Sequence, residues 1–197
     1  MIRTERCAAA FGRMYWAFLF FIDFQFGVDN VHVDILPDLF GWILIASALT
    51  SILDLAPRVP NLRKLAYWLC FLSLFDLVEI RIPVAESGVM SVWITPTFAV
   101  DVIYSILKIV LIWKLCGLIM DMAWVVQNET MRRRAHFRRR FYVVFHGLLL
   151  LVLAAALAVQ SLAIAAILVA LPLSIVLFFL MMGLMGGTEK MCRGMTV

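Results

Sequence analysis

The sequence predicts an all-α fold, a polytopic bundle of six transmembrane helices with both termini in the cytoplasm, and three observations carry that expectation. Of the 197 residues, 64% are hydrophobic and 15% charged, and the mean hydropathy is +1.00. Soluble domains run at about 45–50% apolar and about 25% charged. Apolar stretches of 17 to 24 residues recur along the chain, matching the roughly 20 residues that cross ~30 Å of hydrocarbon as helix. Finally, 14 of the 17 Lys and Arg residues fall on one side of the alternating connectors, and the positive-inside rule makes that side cytoplasmic.

The expected spans are 8–26, 39–55, 65–82, 98–120, 141–159 and 162–185. They form a single membrane domain over 1–197: four polar-striped helices in 1–120, a basic cytoplasmic connector in 121–140, an apolar hairpin in 141–185 and a cytoplasmic tail in 186–197. Span one follows Met-Ile-Arg-Thr-Glu-Arg as an apolar run. It has the outline of a signal peptide without a small-x-small cleavage site, so it reads as a retained helix.

Between spans one and two, residues 28–45 alternate polar and apolar side chains before a helix start. Pro37 suits a first helical turn, Asp38 the positive end of the helix dipole, Gly41 a close helix approach and Trp42 the interface. His32, Asp34 and Asp38 make an H-x-D-x-x-x-D set that a divalent metal could accept. That spacing is not diagnostic, and capping with outer-surface solvation explains the same residues. The core of this segment, D-I-L-P-D-x-x-G-W-I-L-I from Asp34 to Ile45, resembles a motif in small multi-pass bacterial membrane proteins of unassigned function. The resemblance covers about a dozen residues and implies a bacterial-type plasma-membrane protein, with no activity to carry over.

Spans three and four hold charges that lipid disfavours. Ser73, Asp76 and Glu79 recur at steps of three, and Asp101, Ser105 and Lys108 at four then three, so each helix should carry one polar stripe. A charge at mid-bilayer costs about 2.5–3.5 kcal/mol on insertion scales, so such residues face the bundle interior. Counting ~1.5 Å per residue puts Asp76 and Lys108 near the midplane, as an expected ion pair, with Asp23, Glu79 and Asp101 roughly 7–11 Å outward. Asp23, Asp76, Glu79, Asp101 and Lys108 thus outline an outward-opening acidic pocket. Lys114 should snorkel to the inner headgroups, and Asp54 and Asp121 should be solvated.

Spans five and six contain little that is polar beyond His146, Gln160-Ser161 and Ser174, so the hairpin reads as a buttress. Pro172 should kink span six, and Gly183 with Gly187 forms a small-xxx-small pair. Before span five lie Arg132, Arg133, Arg134, Arg138, Arg139 and Arg140, a topogenic cluster that can also meet anionic headgroups at about 1 kcal/mol per basic residue. The four cysteines, Cys7, Cys70, Cys116 and Cys192, lie toward the cytoplasmic side as reduced thiols packed in the core.

Two functions fit: a small transporter or ion/proton-coupled carrier using the acidic pocket, or a non-catalytic accessory or assembly subunit whose charges pair within the bundle or with a partner helix. No Ser-His-Asp, Cys-His or H-E-x-x-H signature points to an enzyme, and no cofactor is implied. The expected partners are the lipid bilayer, including anionic lipids, and a second copy or another membrane subunit. Nucleic acid is not among them, because no folded reader accompanies the arginines.

Overall fold

The computed structural model describes residues 2–21, 25–28, 31–34, 38–76, 78–80, 82–87, 90–94, 98–156 and 160–194. Six α-helices follow one another in the expected order: α1 Ile2–Ala17, α2 Asp38–Ser51, α3 Val59–Leu72, α4 Phe98–Val125, α5 Glu129–Ala156 and α6 Gln160–Gly194. Their lengths differ from the expected spans. Among the described residues two helices, over Ala99–Val125 and Val169–Gly194, are long and apolar enough to cross a bilayer. Helices α2 and α3 have 14 residues each, ~21 Å of helix at 1.5 Å per residue.

The connectors at one end hold short strands that the helical periodicity did not foresee. They are β1 Gln25–Val28, β2 Val31–Asp34, β3 Val78–Ile80, β4 Ile82–Ser87 and β5 Met90–Ile94, pairing antiparallel as β1-β2-β3 and β4-β5. Alternation and β-branched content explain them: Val-His-Val-Asp and Met-Ser-Val-Trp-Ile place every second residue on one face of a pleat.

The strands overturn one expectation. Helix α3 stops at Leu72 and continues as a 3-10 turn over Ser73–Asp76, and Glu79 lies on β3, in register opposite His32 of β2. Ser73, Asp76 and Glu79 therefore do not line one helical face, because the backbone changes its repeat between them. The Ser73 hydroxyl is buried and donates to the Cys70 carbonyl at 2.9 Å. At its other end α3 starts at Val59, with proline in the first turn, so Arg63 and Lys64 lie on the helix rather than in the connector.

Each helix packs on its neighbours in sequence, and α6 closes onto α1, making a six-membered ring. The α1 seam is a helical stripe of Cys7, Phe11, Met14 and Ala17, spaced three and four residues apart. Cys7 and Cys192 share a side-chain hydrogen bond, so the start of α1 and the end of α6 lie at the same end of the bundle. The sequence showed no such pairing, because 185 residues separate the two thiols.

The outer surface inverts the pattern of a soluble fold. Tyr67, Trp68, Phe71, Leu74 and Phe75 project outward from α3 and its 3-10 turn, Ile103, Ile106 and Val110 from α4, Val144, Leu148 and Leu151 from α5, and Val169, Ile175 and Phe179 from α6. Exposed apolar side chains in this number mark a surface covered by a membrane or by another protein.

The expected basic connector is mostly helical. Helix α4 runs to Val125, and Gln127 takes a left-handed φ of 53°. The Asn128 N–H bonds the Ala123 carbonyl at 2.8 Å and the Gln127 N–H bonds that of Trp124 at 3.0 Å, a Schellman ending with Gln where Gly is usual. Asn128 then caps α5, its Oδ1 accepting the Met131 N–H at 3.0 Å. All six arginines consequently ride on α5. Helix α6 runs through Pro172 without interruption and extends to Gly194, so the expected tail is helical for most of its length. A Cβ at Gly187 would meet the Met131 Cε at 2.7 Å, so this glycine does serve α5–α6 packing.

Candidate functional site

The first turn of α2 and the N-terminal half of α4 bring four side chains into one network. Asp38, Gly41 and Trp42 occupy the start of α2, and Tyr104 and Lys108 stand one turn apart on the same face of α4. The Trp42 Nε1–H donates to the Tyr104 hydroxyl at 2.7 Å, and that hydroxyl donates to Asp38 Oδ2. Lys108 Nζ reaches the same Asp38 oxygen at 3.2 Å. The side chains of Lys108 and Asp38 are 22% and 15% exposed, so the pair is largely removed from solvent.

Aromatic rings complete the enclosure. Lys108 Nζ lies 4.9 Å from the Phe21 centroid, 5.5 Å from that of Tyr104 and 6.0 Å from that of Trp42, within the range where a ring face attracts a cation. Phe21 packs on Trp42 with centroids 4.4 Å apart. It can do so because Gly41 has no side chain, as a Cβ there would stand 2.6 Å from Phe21 Cε1 and 2.9 Å from the Ala17 carbonyl oxygen. The close approach expected of Gly41 is thus realised against α1 and the turn that follows it.

On its other side Lys108 faces a cavity of about 100 Å³ lined by Phe18, Phe21, Tyr142, His146, Ser174, Leu177, Phe178 and Met181. That is room for several waters or a small ion. Tyr142 and His146 stack one turn apart on α5 with centroids 4.0 Å apart, and His146 Nδ1 is 3.1 Å from the Tyr142 carbonyl. The hairpin of α5 and α6 is therefore more than a buttress: it supplies the polar groups on the wall opposite α2.

The structure redistributes the expected site residues. Lys108 is central, but the partner it shows is Asp38, read from the sequence as a dipole-compensating residue of the outer motif. Asp101 lies one turn before Tyr104 on α4. Asp23 and Pro37 lie outside the described residues, as do the side chains of His32, Asp34, Asp76 and Glu79, and with them the expected Asp76–Lys108 pair. Among the described residues no group of three or more His, Cys, Asp or Glu could hold a metal. Trp42 is fully buried within the bundle. Tyr104 was missed, although its position four residues before Lys108 on an apolar helix was the available signal.

The arginines divide. Arg132 and Arg133 pair with Glu129 at 2.8 and 3.0 Å, which holds the Glu129 carboxyl below its usual range, chiefly through the Arg133 hydrogen bond. Arg134 and Arg140 are exposed. Arg138 and Arg139 turn into the bundle, where Gly183 of α6 and Gly117 of α4 leave space beside their guanidinium groups. Comparison with protein-family models, curated proteins and solved structures finds no match to this chain.

Proposed function

We propose that this chain is a multi-pass plasma-membrane protein with six spans and cytoplasmic termini, acting as a small transporter or ion/proton-coupled carrier. The observation that supports this best is the Asp38–Lys108 pair, held among aromatic rings and open on one side to a cavity that also contains Tyr142, His146 and Ser174. A charged pair maintained inside an apolar bundle beside a water-sized space is the arrangement expected along a proton or ion route. Asp23, Asp76, Glu79 and Asp101 would form its outward end. The apolar exterior, the two long apolar helices and the basic residues gathered at one end support the membrane placement.

The second reading, an accessory or assembly subunit, is favoured by the hydrogen-bonded Trp42–Tyr104–Asp38–Lys108 network, which suits a register-fixing role. One experiment separates them. Asp38→Asn, Lys108→Met and the double variant are reconstituted in proteoliposomes, and both abundance and cation or proton flux are measured. A carrier loses flux in all three while the protein still assembles. An assembly subunit shows reduced abundance in each single variant and recovery in the double, with no flux in the unmodified protein, and that result would refute the carrier.

A further inference from the structure

At the opposite end of the bundle from the strands, α3, α4 and α5 enclose a second polar space. Its volume is about 280 Å³, and Arg58, Asn61, Trp113, Lys114, Gly117 and Arg139 line it. The Arg139 guanidinium lies 3.6 Å from the Trp113 ring centroid, and its Nε is buried with no hydrogen-bond partner. Arg58 pairs with Asp121 at 2.8 Å. Among the described residues, neither Lys114 nor Arg139 has a carboxylate within ion-pair distance. Three cations therefore share one cavity with a single, already engaged, carboxylate at its edge.

The geometry points to a phosphate-binding site. Like charges held around a cavity repel one another, and an anion within it removes that cost. A guanidinium fixed by stacking presents its donors as a planar fork that matches two phosphate oxygens. Lys114 supplies a mobile point charge and Asn61 an amide donor for the remaining oxygens. Gly117 lines the cavity beside Arg139, whose Nη1 would stand in ordinary contact, 3.9 Å, from a Cβ at that position. Resting on the membrane placement proposed above, the cavity lies at the inner headgroup level, where Trp113 suits the interface and basic pockets between helices take anionic headgroups. The ligand is a phosphate ester, from an anionic phospholipid or from a soluble metabolite.

The test uses the full-length protein in phosphatidylcholine nanodiscs containing a minor fraction of phosphatidylglycerol, with retained lipid counted by native mass spectrometry. Phosphatidylglycerol should be retained selectively, and Arg139→Gln or Lys114→Gln should weaken that retention about ten-fold or more, the scale of one charge-assisted hydrogen bond. Arg133→Gln removes the same charge from an 81% exposed side chain on the same helix and should lower retention only by the few-fold that general headgroup attraction supplies, well short of the loss at Arg139 or Lys114. In a parallel arm, glycerol phosphate and inorganic phosphate are titrated against thermal unfolding in detergent. Protection that needs Arg139 and Lys114, without lipid selectivity, assigns the site to a soluble ester. Equal loss in the Arg133 and Arg139 variants, or no phosphate selectivity in either arm, overturns the site. Should Arg139→Gln fail to assemble, the exposed Lys114 decides through its own variant. Release of the chain from membranes by alkaline carbonate would refute the membrane placement instead, whereas a carbonate-resistant but unselective protein refutes only the phosphate site.

Discussion

Replacing Gly41 by alanine tests the packing that builds the Lys108 site. The added Cβ would stand 2.6 Å from Phe21 Cε1, 3.0 Å from Phe21 Cζ and 2.9 Å from the Ala17 carbonyl oxygen, against an ordinary contact of roughly 3.5–4.0 Å. The Ala17 oxygen is backbone and cannot step aside. Phe21 is held by Trp42 and lies against Lys108, so its displacement would loosen the charged pair. Overpacking of this kind costs about 1–3 kcal/mol, while alanine returns ~1 kcal/mol of helix propensity, leaving a net loss of about 0–2 kcal/mol. Gly147 of α5 is the internal control, because a Cβ there meets nothing within 4 Å. Gly147→Ala should therefore be neutral or stabilising by up to ~1 kcal/mol. Equilibrium unfolding in mixed micelles, read by tryptophan fluorescence, measures both. If Gly41→Ala were as stable as Gly147→Ala, α2 would not approach α1 at this residue and the enclosure of Lys108 would be wrong.

Gln127→Gly should stabilise the protein by about 0.5–1 kcal/mol in the same assay, because the left-handed backbone that strains glutamine is free to glycine. Mild diamide oxidation should join Cys7 to Cys192 and leave Cys70 and Cys116 reduced, as peptide mapping would show; a different pairing would contradict the closure of α6 onto α1. The Glu129 carboxyl is held below its ordinary value of 4.5, so its pairing with Arg132 and Arg133 is present above that pH and is lost as pH falls through the lowered folded-state value. Fluorescence of Trp124, which Arg132 overlies at 4.8 Å, should report a transition below pH 4.5 that Glu129→Gln abolishes.

Hydropathy and charge spacing are properties of local stretches, and what depends on them was legible in the sequence. The order of six helices, the close approach at Gly41 and the shared face of α4 that carries Lys108 all follow from residues within a turn or two of each other. Where helices stop was less legible: the run from Leu65 to Ile82 is apolar enough for a span, yet its β-branched end pairs as strand from Val78, and hydropathy alone does not distinguish the two repeats. Tertiary structure alone decided which helical faces meet. A three-and-four spacing says that Tyr104 and Lys108 share a face; it does not say that this face looks onto Asp38 and Trp42 on one side and onto Tyr142 and His146 on the other. That outcome depends on how the ring of helices closes, which depends on side-chain volumes at Gly41, Ala17 and Phe21 from separate parts of the chain. The same limit applies to Arg139, one of six similar arginines until α4 offers it Trp113 and the space beside Gly117.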